Sequence, residues 1–191
     1  GVGNLFSLQS SFKAIGQQVE VSSDPEVLRK ADHILLPGVG AFEDAVQKLR
    51  ATGMDQMVYE AAKSGKPLMG ICLGMQMLFE KSYEFGEHTG LGLLKGSVIG
   101  MEGTIPAELK IPHIGWNELY LKGEPHPIFK YINQGDHVYF VHSYYLRAED
   151  RDVVSTTTEY GKLIDASVQQ GNGHIIDIGA GGAGENQTIG G

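Results

Sequence analysis

The sequence contains a single cysteine, Cys72, among its 191 residues. One cysteine cannot form a disulfide within the chain, and it excludes a Cys-x-x-Cys metal or redox site. The seven histidines show no His-x-x-His spacing, so we expect neither a metal ion nor another cofactor. A chain that forms no disulfide is typical of the reducing cytoplasm, where we therefore expect this protein.

Long apolar runs and basic clusters are also lacking. No run of about eighteen apolar residues occurs, and no basic-then-apolar leader opens the chain, so we expect no membrane segment. The 15 Lys and Arg residues are scattered and outnumbered by 23 Asp and Glu, which gives a net charge of -8. Proteins that bind nucleic acid concentrate basic residues on one face, so we expect no nucleic-acid partner. We therefore expect a single globular domain with the hydrophobic content of an ordinary soluble protein.

The first third of the chain alternates between helical and strand patterns. Four apolar residues at helical spacing predict an initial helix: Leu5, Leu8, Phe12 and Ile15. Val19 and Val21 predict a short strand, and Asp24 before Pro25 is typical of a helix N-cap. An α/β architecture places a strand before a glycine turn such as residues 1–3, so we expect one to precede Gly1.

Residues 66–76 carry the strongest chemical signal. A strand-length apolar run over residues 68–71 leads into Cys72, and good helix formers follow it. Gly70 and Gly74 flank the cysteine at the spacing of a nucleophile elbow, a sharp turn in which larger side chains would clash. The start of a helix favours the thiolate, and the Leu73 amide is the expected first donor to an oxyanion. The alternative is a small buried hydrophobic residue.

A second glycine turn follows the preceding strand pattern, residues 34–36. It reads Pro-Gly-Val-Gly over residues 37–40 and leads into a helix with an apolar face over residues 42–49. Such turns are common βα loops without a function of their own. However, the ends of neighbouring parallel strands meet at one sheet edge, so the Val39 amide is our candidate for a second oxyanion donor.

The second half of the chain is predicted to be mainly β-strand. Short β-type runs cover residues 93–99, 138–141, 153–158 and 163–168, with a hairpin turn at Tyr160 and Gly161. Residues 112–117 include the single tryptophan, Trp116, which is either a core or a binding residue. Residues 140–145 end a strand with consecutive polar side chains and form either a pocket rim or a surface strand end.

These motifs together resemble the class I glutamine amidotransferases. The resemblance rests on residues 70–76, 37–42, 114–117 and 141–144, and within the family it points to the glutaminase subunits of imidazole glycerol phosphate synthase. It implies a flavodoxin-like α/β fold over residues 1–170, with a mostly parallel sheet, helices on both faces and an antiparallel β-rich C-terminal half. It also implies glutamine hydrolysis through a cysteine thioester, with ammonia channelled to a (β/α)₈-barrel cyclase partner in a heterodimer.

The resemblance assigns roles to individual residues. Cys72 would be the nucleophile, and the Val39 and Leu73 amides would stabilise the oxyanion. The residues implied to bind glutamine are Gly38, Gly40, Gln76, His142, Ser143 and Tyr144. Asn4, Trp116 and Asn117 would face the synthase partner.

The C-terminal segment departs from the family. A His-Pro-Glu motif, which completes the family's triad, is absent from the sequence, and residues 171–191 form an atypical Gly-rich tail. Neither His174 nor Glu185 has the expected neighbours. The pattern Gly179-x-Gly181-x-x-Gly184 matches a dinucleotide loop only weakly, because no second strand with an acidic residue follows. A non-catalytic docking subunit and the glutaminase of another amidotransferase, such as anthranilate synthase, remain alternatives.

Overall fold

The computed structural model describes residues 5–124 and 126–170, together with the backbone of residues 175–176. The predictions that concern Asn4, His174, Glu185 and the glycine pattern at residues 179–184 lie outside the described residues. The helices are α1 (Leu5–Ala14), α2 (Pro25–Lys30), α3 (Phe42–Ala51), α4 (Met54–Lys63) and α5 (Leu73–Leu78). The strands are β1 (Ile34–Gly38), β2 (Leu68–Cys72), β3 (Phe79–Ser82), β4 (His88–Thr89), β5 (Leu94–Gly100), β6 (His113–Glu118), β7 (Tyr120–Leu121), β8 (His137–His142), β9 (Tyr144–Ala148), β10 (Val154–Glu159), β11 (Leu163–Val168) and β12 (Ile175–Ile176).

A three-stranded parallel sheet in the order β1-β2-β12 places the candidate nucleophile on its central strand. Parallel neighbours need a crossover connection, which α3 and α4 supply between β1 and β2. The predicted apolar face of α3 is present, because Phe42 and Val46 are buried. The predicted cap of α2 is also present, since the Asp24 side chain accepts a hydrogen bond from the Glu26 amide and Pro25 opens the helix.

The second half forms the predicted β-rich layer as a separate sheet. Its strand order is β4-β3-β5-β9-β11-β10-β7, and only the β3–β5 pair is parallel. β6 and β8 form a further antiparallel pair. The predicted hairpin turn lies between β10 and β11, where the Tyr160 amide donates to the Lys162 carbonyl at 2.9 Å and Gly161 has a φ of 71°. The predicted fold class is therefore confirmed, with the β-rich half in its own sheet.

One prediction for the first thirty residues needs correction. Val19 and Val21 do not form a strand. A strand requires hydrogen bonds to a neighbouring strand. Among the described residues β1 is the edge strand of its sheet, and residues 19–21 do not pair with it. The predicted helix α1 is present, but none of its residues is buried, and Ile15 beyond its end is 69% exposed.

The main core surrounds α5. All six residues of this helix are buried, although it is only 6 residues long. It packs against β1, β2, α3 and β3, and its apolar side chains share one buried cluster with residues of β5 and β9. A helix this short is marginal by itself, so burial of its whole surface stabilises it and fixes where it begins. Within the described residues, no helix is long and apolar enough to cross a membrane.

Candidate active site

Cys72 lies at the junction of β2 and α5, as the elbow pattern predicts. Its backbone φ is 59° and its ψ is -120°, which is a sterically unfavourable conformation for a residue with a side chain. Such strain persists only where the surrounding packing enforces it, and it is concentrated at functional sites. The strained backbone distinguishes Cys72 from an ordinary buried cysteine.

Close packing of α5 against β1 explains the glycines around the elbow. A Cβ atom on Gly74 would lie 1.7 Å from the Leu36 carbonyl oxygen, and one on Gly70 would lie 2.6 Å from the Met75 Cα atom. A Cβ atom on Gly38, in β1, would lie 2.6 Å from the Gly74 amide nitrogen. All three positions contact backbone atoms that cannot move aside cheaply, so only glycine allows the helix to begin directly after the cysteine.

The two predicted oxyanion donors follow neighbouring strand ends. Gly38 pairs with Cys72 in the parallel register of β1 and β2, so Val39 and Leu73 are the next residues on the two chains. Leu73 is buried in the first turn of α5, where backbone N–H groups have no partner within the helix. Val39 is 51% exposed and is followed by Gly40 at a φ of 103°. The order of the strands thus brings both amides to the same sheet edge.

A small cavity lies beside Cys72 and has a volume of about 20 Å³. It is lined from the elbow side by Cys72, Met75 and Gln76, and from the β-rich sheet by Phe140, His142, Tyr144, Tyr145, Leu146, Ile164, Asp165 and Ala166. Four of the predicted site residues therefore meet here, although they are far apart in sequence. The space is sufficient for about one water molecule, so glutamine has to bind at its mouth or widen it.

The remaining predicted site residue of the 142–144 segment is Ser143. It joins β8 to β9, and its carbonyl oxygen accepts a hydrogen bond from the Met101 amide at 2.9 Å. This bond ties the segment to the chain that leaves β5, which is consistent with a fixed pocket rim. Ser143 itself is not among the residues that line the cavity.

His142 belongs to a buried chain of hydrogen-bonding groups. Its Nδ1 lies 2.9 Å from the Tyr144 carbonyl oxygen, and its Nε2 lies 3.0 Å from Nδ1 of His113. Nε2 of His113 is 2.8 Å from Oδ1 of Asn117, whose Nδ2 donates to the Glu159 carbonyl oxygen at 2.8 Å. Both nitrogens of His142 are thus engaged, so it is not available as a base for Cys72.

Burial controls the protonation of the two rings. It lowers the pKa of His142 to about 4, against the opposing hydrogen bond to the Tyr144 carbonyl. It also lowers the pKa of His113, which stacks between Phe140, with 5.2 Å between ring centroids, and Tyr160, with 3.9 Å. Charged imidazolium is disfavoured where water is excluded, so both rings are neutral at pH 7.

Glu84, which no sequence pattern singled out, is a further candidate for the site. Its carboxylate is buried and accepts a hydrogen bond at 2.6 Å from the amide of Phe42, the first residue of α3 after the Pro-Gly-Val-Gly turn. Burial raises the pKa of Glu84. Burial also raises the pKa of Tyr144, and the charge of Glu84 adds to that shift. No local motif could have found it, because Glu84 and Phe42 are 42 positions apart.

A second buried carboxylate, Asp165, lines the cavity but is neutralised. Its two oxygens accept hydrogen bonds from the two terminal nitrogens of Arg151, both at 2.7 Å, and one oxygen also lies 3.2 Å from the Ala148 amide. The side chain of Asp165 is only 4% exposed. This bidentate pair is a structural element of the cavity wall.

The residues predicted to face a partner lie on β6. Trp116 is 68% exposed and is therefore not a core residue; its ring meets that of Tyr139 at a centroid distance of 5.6 Å. Ile114, two residues earlier on the same strand, is also exposed. We name Ile114, Trp116 and Tyr139 the aromatic face. Beside it is an open depression of about 460 Å³ that Trp116, Asn117, Glu159 and Tyr160 help to line.

No group of three or more His, Cys, Asp or Glu side chains in the described part of the chain could hold a metal ion.

Comparison with known proteins agrees with this geometry. The family model described as glutamine amidotransferase class-I matches residues 3–176. The imidazole glycerol phosphate synthase subunit HisH of Aquifex aeolicus is 48% identical over 173 residues, which cover 90% of this chain and 81% of that protein. The HisH subunit of Syntrophotalea carbinolica is 43% identical over 175 residues, covering 90% and 84%.

Solved structures show the same fold. The crystal structure of a glutamine amidotransferase superposes with a TM-score of 0.69 at 20% identity and covers 93% of this chain and 84% of that one. The glutaminase domain of Trypanosoma brucei CTPS, with bound acivicin, gives a TM-score of 0.63 at 17% identity, covering 92% and 79%. From the extent of the family match and the identity to its relatives, the chain belongs to the class I glutamine amidotransferase family, in the branch of the HisH subunits of imidazole glycerol phosphate synthase.

Proposed function

We propose that this chain is the glutaminase subunit of an imidazole glycerol phosphate synthase and supplies ammonia for histidine biosynthesis. The observation that carries the proposal is the strained elbow at Cys72, whose side chain shares a cavity with Gln76, His142 and Tyr144. The relatives with 43% and 48% identity are named as subunits of this synthase, which favours it over anthranilate synthase as the parent enzyme.

The proposed chemistry begins with attack of the Cys72 thiolate on the carboxamide carbon of glutamine. The carbonyl oxygen becomes an oxyanion, which the Val39 and Leu73 amides would stabilise from the shared sheet edge. The C–N bond then breaks, ammonia leaves with an added proton, and a thioester remains on Cys72. Water hydrolyses the thioester to glutamate and regenerates the thiol.

Substrate binding would use the walls around the cysteine. We propose that Gly38, Gly40, Gln76, His142, Ser143 and Tyr144 surround the glutamine. The α-ammonium of glutamine requires a nearby anion, and the two buried carboxylates of this region differ in suitability. Asp165 is already paired with Arg151, whereas Glu84 is bound to a neutral backbone amide and acts electrostatically on Tyr144. We therefore assign the ammonium to Glu84.

The partner would dock on the aromatic face. Exposed apolar side chains grouped on one antiparallel pair are typical of an interface, and an exposed tryptophan is a common anchor residue in such surfaces. We propose that this face, with Asn117 and with Asn4 from outside the described residues, contacts a (β/α)₈-barrel cyclase subunit that receives the ammonia.

The test combines labelling with turnover. A chloroketone or diazoketone analogue of glutamine should modify Cys72 much faster in the wild-type chain than in the Glu84→Gln variant. It should leave the Cys72→Ser variant unmodified. Glutamate release in the presence of the cyclase partner measures turnover. General acid and base groups typically contribute about 10²- to 10⁴-fold, so turnover will lag behind labelling by a factor of this order if no base supports Cys72.

The same test addresses the non-catalytic alternative. A docking subunit without a glutamine site would bind the cyclase, but its Cys72 would react with the glutamine-like reagent no faster than with a simple alkylating reagent of equal intrinsic reactivity. That result, together with undetectable glutamate release, would overturn the proposed function.

A further inference from the structure

The hydrogen-bond chain through His142 and His113 ends on an acceptor at both sides. At one end the acceptor is the Tyr144 carbonyl oxygen, beside the active-site cavity. At the other end Asn117 lies between His113 and the Glu159 carbonyl oxygen, at the depression next to the aromatic face. A carbonyl oxygen accepts and never donates, so the direction of the bonds is constrained from both ends.

Counting protons shows that the chain cannot be satisfied when both rings are neutral. When Asn117 Nδ2 donates to the Glu159 carbonyl, three contacts remain, and each needs one proton. The contact with the Tyr144 carbonyl needs a proton on His142 Nδ1, and the contact with Asn117 Oδ1 needs one on His113 Nε2. The contact between the two rings needs a proton on one of its two nitrogens. Two neutral imidazoles carry two protons in total. One contact must therefore place two lone pairs opposite each other, at donor–acceptor distances of 2.8 to 3.0 Å.

The deficient contact can lie between the rings, where two lone pairs would meet at 3.0 Å, or at either end of the chain. The two arrangements that keep the ring–ring hydrogen bond differ at the ends. In one arrangement both rings are protonated on Nδ1: the Tyr144 carbonyl receives its hydrogen bond, and the conflict lies at Asn117. In the other arrangement both rings are protonated on Nε2: Asn117 is satisfied, and the Tyr144 carbonyl faces a lone pair of His142. Rotation of the Asn117 amide in the first arrangement only moves the conflict to the Glu159 carbonyl.

We propose that His113 and His142 form a tautomeric relay through which occupation of the Asn117 end determines whether the Tyr144 carbonyl is hydrogen-bonded. In passing from the first arrangement to the second, one proton crosses from His113 Nδ1 to His142 Nε2. A second proton leaves His142 Nδ1 for solvent, and a third joins His113 Nε2 from solvent, so the number of protons is unchanged.

The surroundings of the rings support two competing tautomers. Phe140 and Tyr160 cover the faces of His113, and no carboxylate is hydrogen-bonded to either ring among the described residues. Such a partner would fix one tautomer, as in most histidine sites. An unsatisfied buried contact is costly, so a partner group that relieves the conflict at Asn117 shifts the balance of the two arrangements.

The relay would link the docking face to the segment that holds glutamine. His113 acts here as a positioning residue, since it touches His142 but does not line the cavity. A donor from a docked partner that takes over the Glu159 carbonyl would release the Asn117 amide to donate to His113 Nε2. The first arrangement would then be fully satisfied, and the Tyr144 carbonyl would be held. This consequence rests on the proposed function, whereas the relay itself does not.

Nitrogen NMR of the full chain labelled with ¹⁵N-histidine tests the relay without an activity assay. Asn117→Leu removes the conflicting acceptor, so His142 should be protonated on Nδ1 and His113 on Nδ1. Asn117→Asp offers a carboxylate to His113, so the proton should move to His113 Nε2. Retained thermal unfolding temperatures would show that the variants fold, and Asn133→Leu, an exposed asparagine elsewhere, is the matched control.

The outcomes separate the two claims. Identical ring tautomers in wild type, Asn117→Leu and Asn117→Asp would overturn the relay, as would a wild-type pair that carries a third proton at neutral pH. If Asn117→Asp does not fold, Asn117→Glu supplies the carboxylate in its place, and identical tautomers in Asn117→Glu and Asn117→Leu would equally overturn the relay. Because Cys72 labelling is scored separately, failure of the relay leaves the proposed glutaminase intact, and failure of labelling leaves the NMR result interpretable.

Discussion

Gly38 lies directly opposite Cys72 in the parallel pairing of β1 and β2. This pairing means that the turn carrying Val39 and the helix start carrying Leu73 leave the sheet side by side. The end of β1 and the start of α5 are packed closely. A Cβ atom at Gly38 would lie only 2.6 Å from the Gly74 amide nitrogen, so the backbones of the two segments touch here. The proposed oxyanion site is therefore a property of strand pairing as much as of either motif.

Replacement of Gly74 by alanine tests the packing of the elbow. The added Cβ atom would lie 1.7 Å from the Leu36 carbonyl oxygen, so α5 has to move away from β1. We expect a loss of roughly 1–3 kcal/mol in unfolding free energy, as for other overpacked sites, and Cys72 labelling slowed by at least about tenfold. Gly100→Ala is the control, because its Cβ atom would meet Tyr144 Cε1 at an ordinary 3.6 Å. Equal behaviour of the two variants would contradict the packing explanation.

The buried imidazole of His142 predicts a stability that depends on pH. The pKa of His142 is about 4 in the folded chain and 6.5 ordinarily, so between these values only the unfolded chain takes up the proton. The free energy of unfolding should fall by up to about 3 kcal/mol as the pH drops from 6.5 to 4, at about 1.4 kcal/mol per unit. Urea unfolding at a series of pH values measures this slope. His142→Asn should have a smaller slope, and an unchanged slope would rule out this origin.

The Asp165 carboxylate predicts an asymmetric response to loss of its partner. Arg151→Ala leaves a charged group in the cavity wall without its bidentate partner, which should cost about 2 kcal/mol, less than for a fully buried pair because Arg151 is half exposed. The double variant Arg151→Ala/Asp165→Asn should recover part of this loss, since the buried charge is gone. Chemical unfolding of the four combinations gives the coupling. A double variant less stable than Arg151→Ala would refute this explanation.

Glu84 predicts a change in substrate affinity. Glu84→Gln keeps an oxygen for the Phe42 amide but removes the charge proposed to hold the glutamine ammonium. We expect KM for glutamine to rise about tenfold or more, in the range of a lost charged hydrogen bond, with a smaller change in kcat. Glu87→Gln, at an exposed glutamate nearby, is the control. An unchanged KM would exclude Glu84 from ammonium binding.

Local patterns predicted the elements around Cys72 because their causes are local. The glycines beside Cys72, the cap at Asp24 and the apolar face of α3 each depend on neighbours within a few residues. Glu84 and the relay depend on pairings between distant segments, such as His113 with His142 in the register of β6 and β8. No periodicity encodes those pairings, so single-sequence reasoning could not reach them. It also overestimated residues 19–21, where strand propensity has no neighbour to pair with.

The central position of β2 has a consequence for how such an enzyme can change. β1 brings the proposed oxyanion turn to one side of Cys72, and β12 occupies the other side of the same strand. A group delivered along the β12 side would approach Cys72 without disturbing the turn after β1. A segment that continues β12 in its parallel direction would thus reach the Cys72 end of β2 from the flank opposite β1, which is the side from which a histidine would meet the thiol without crossing the turn after β1.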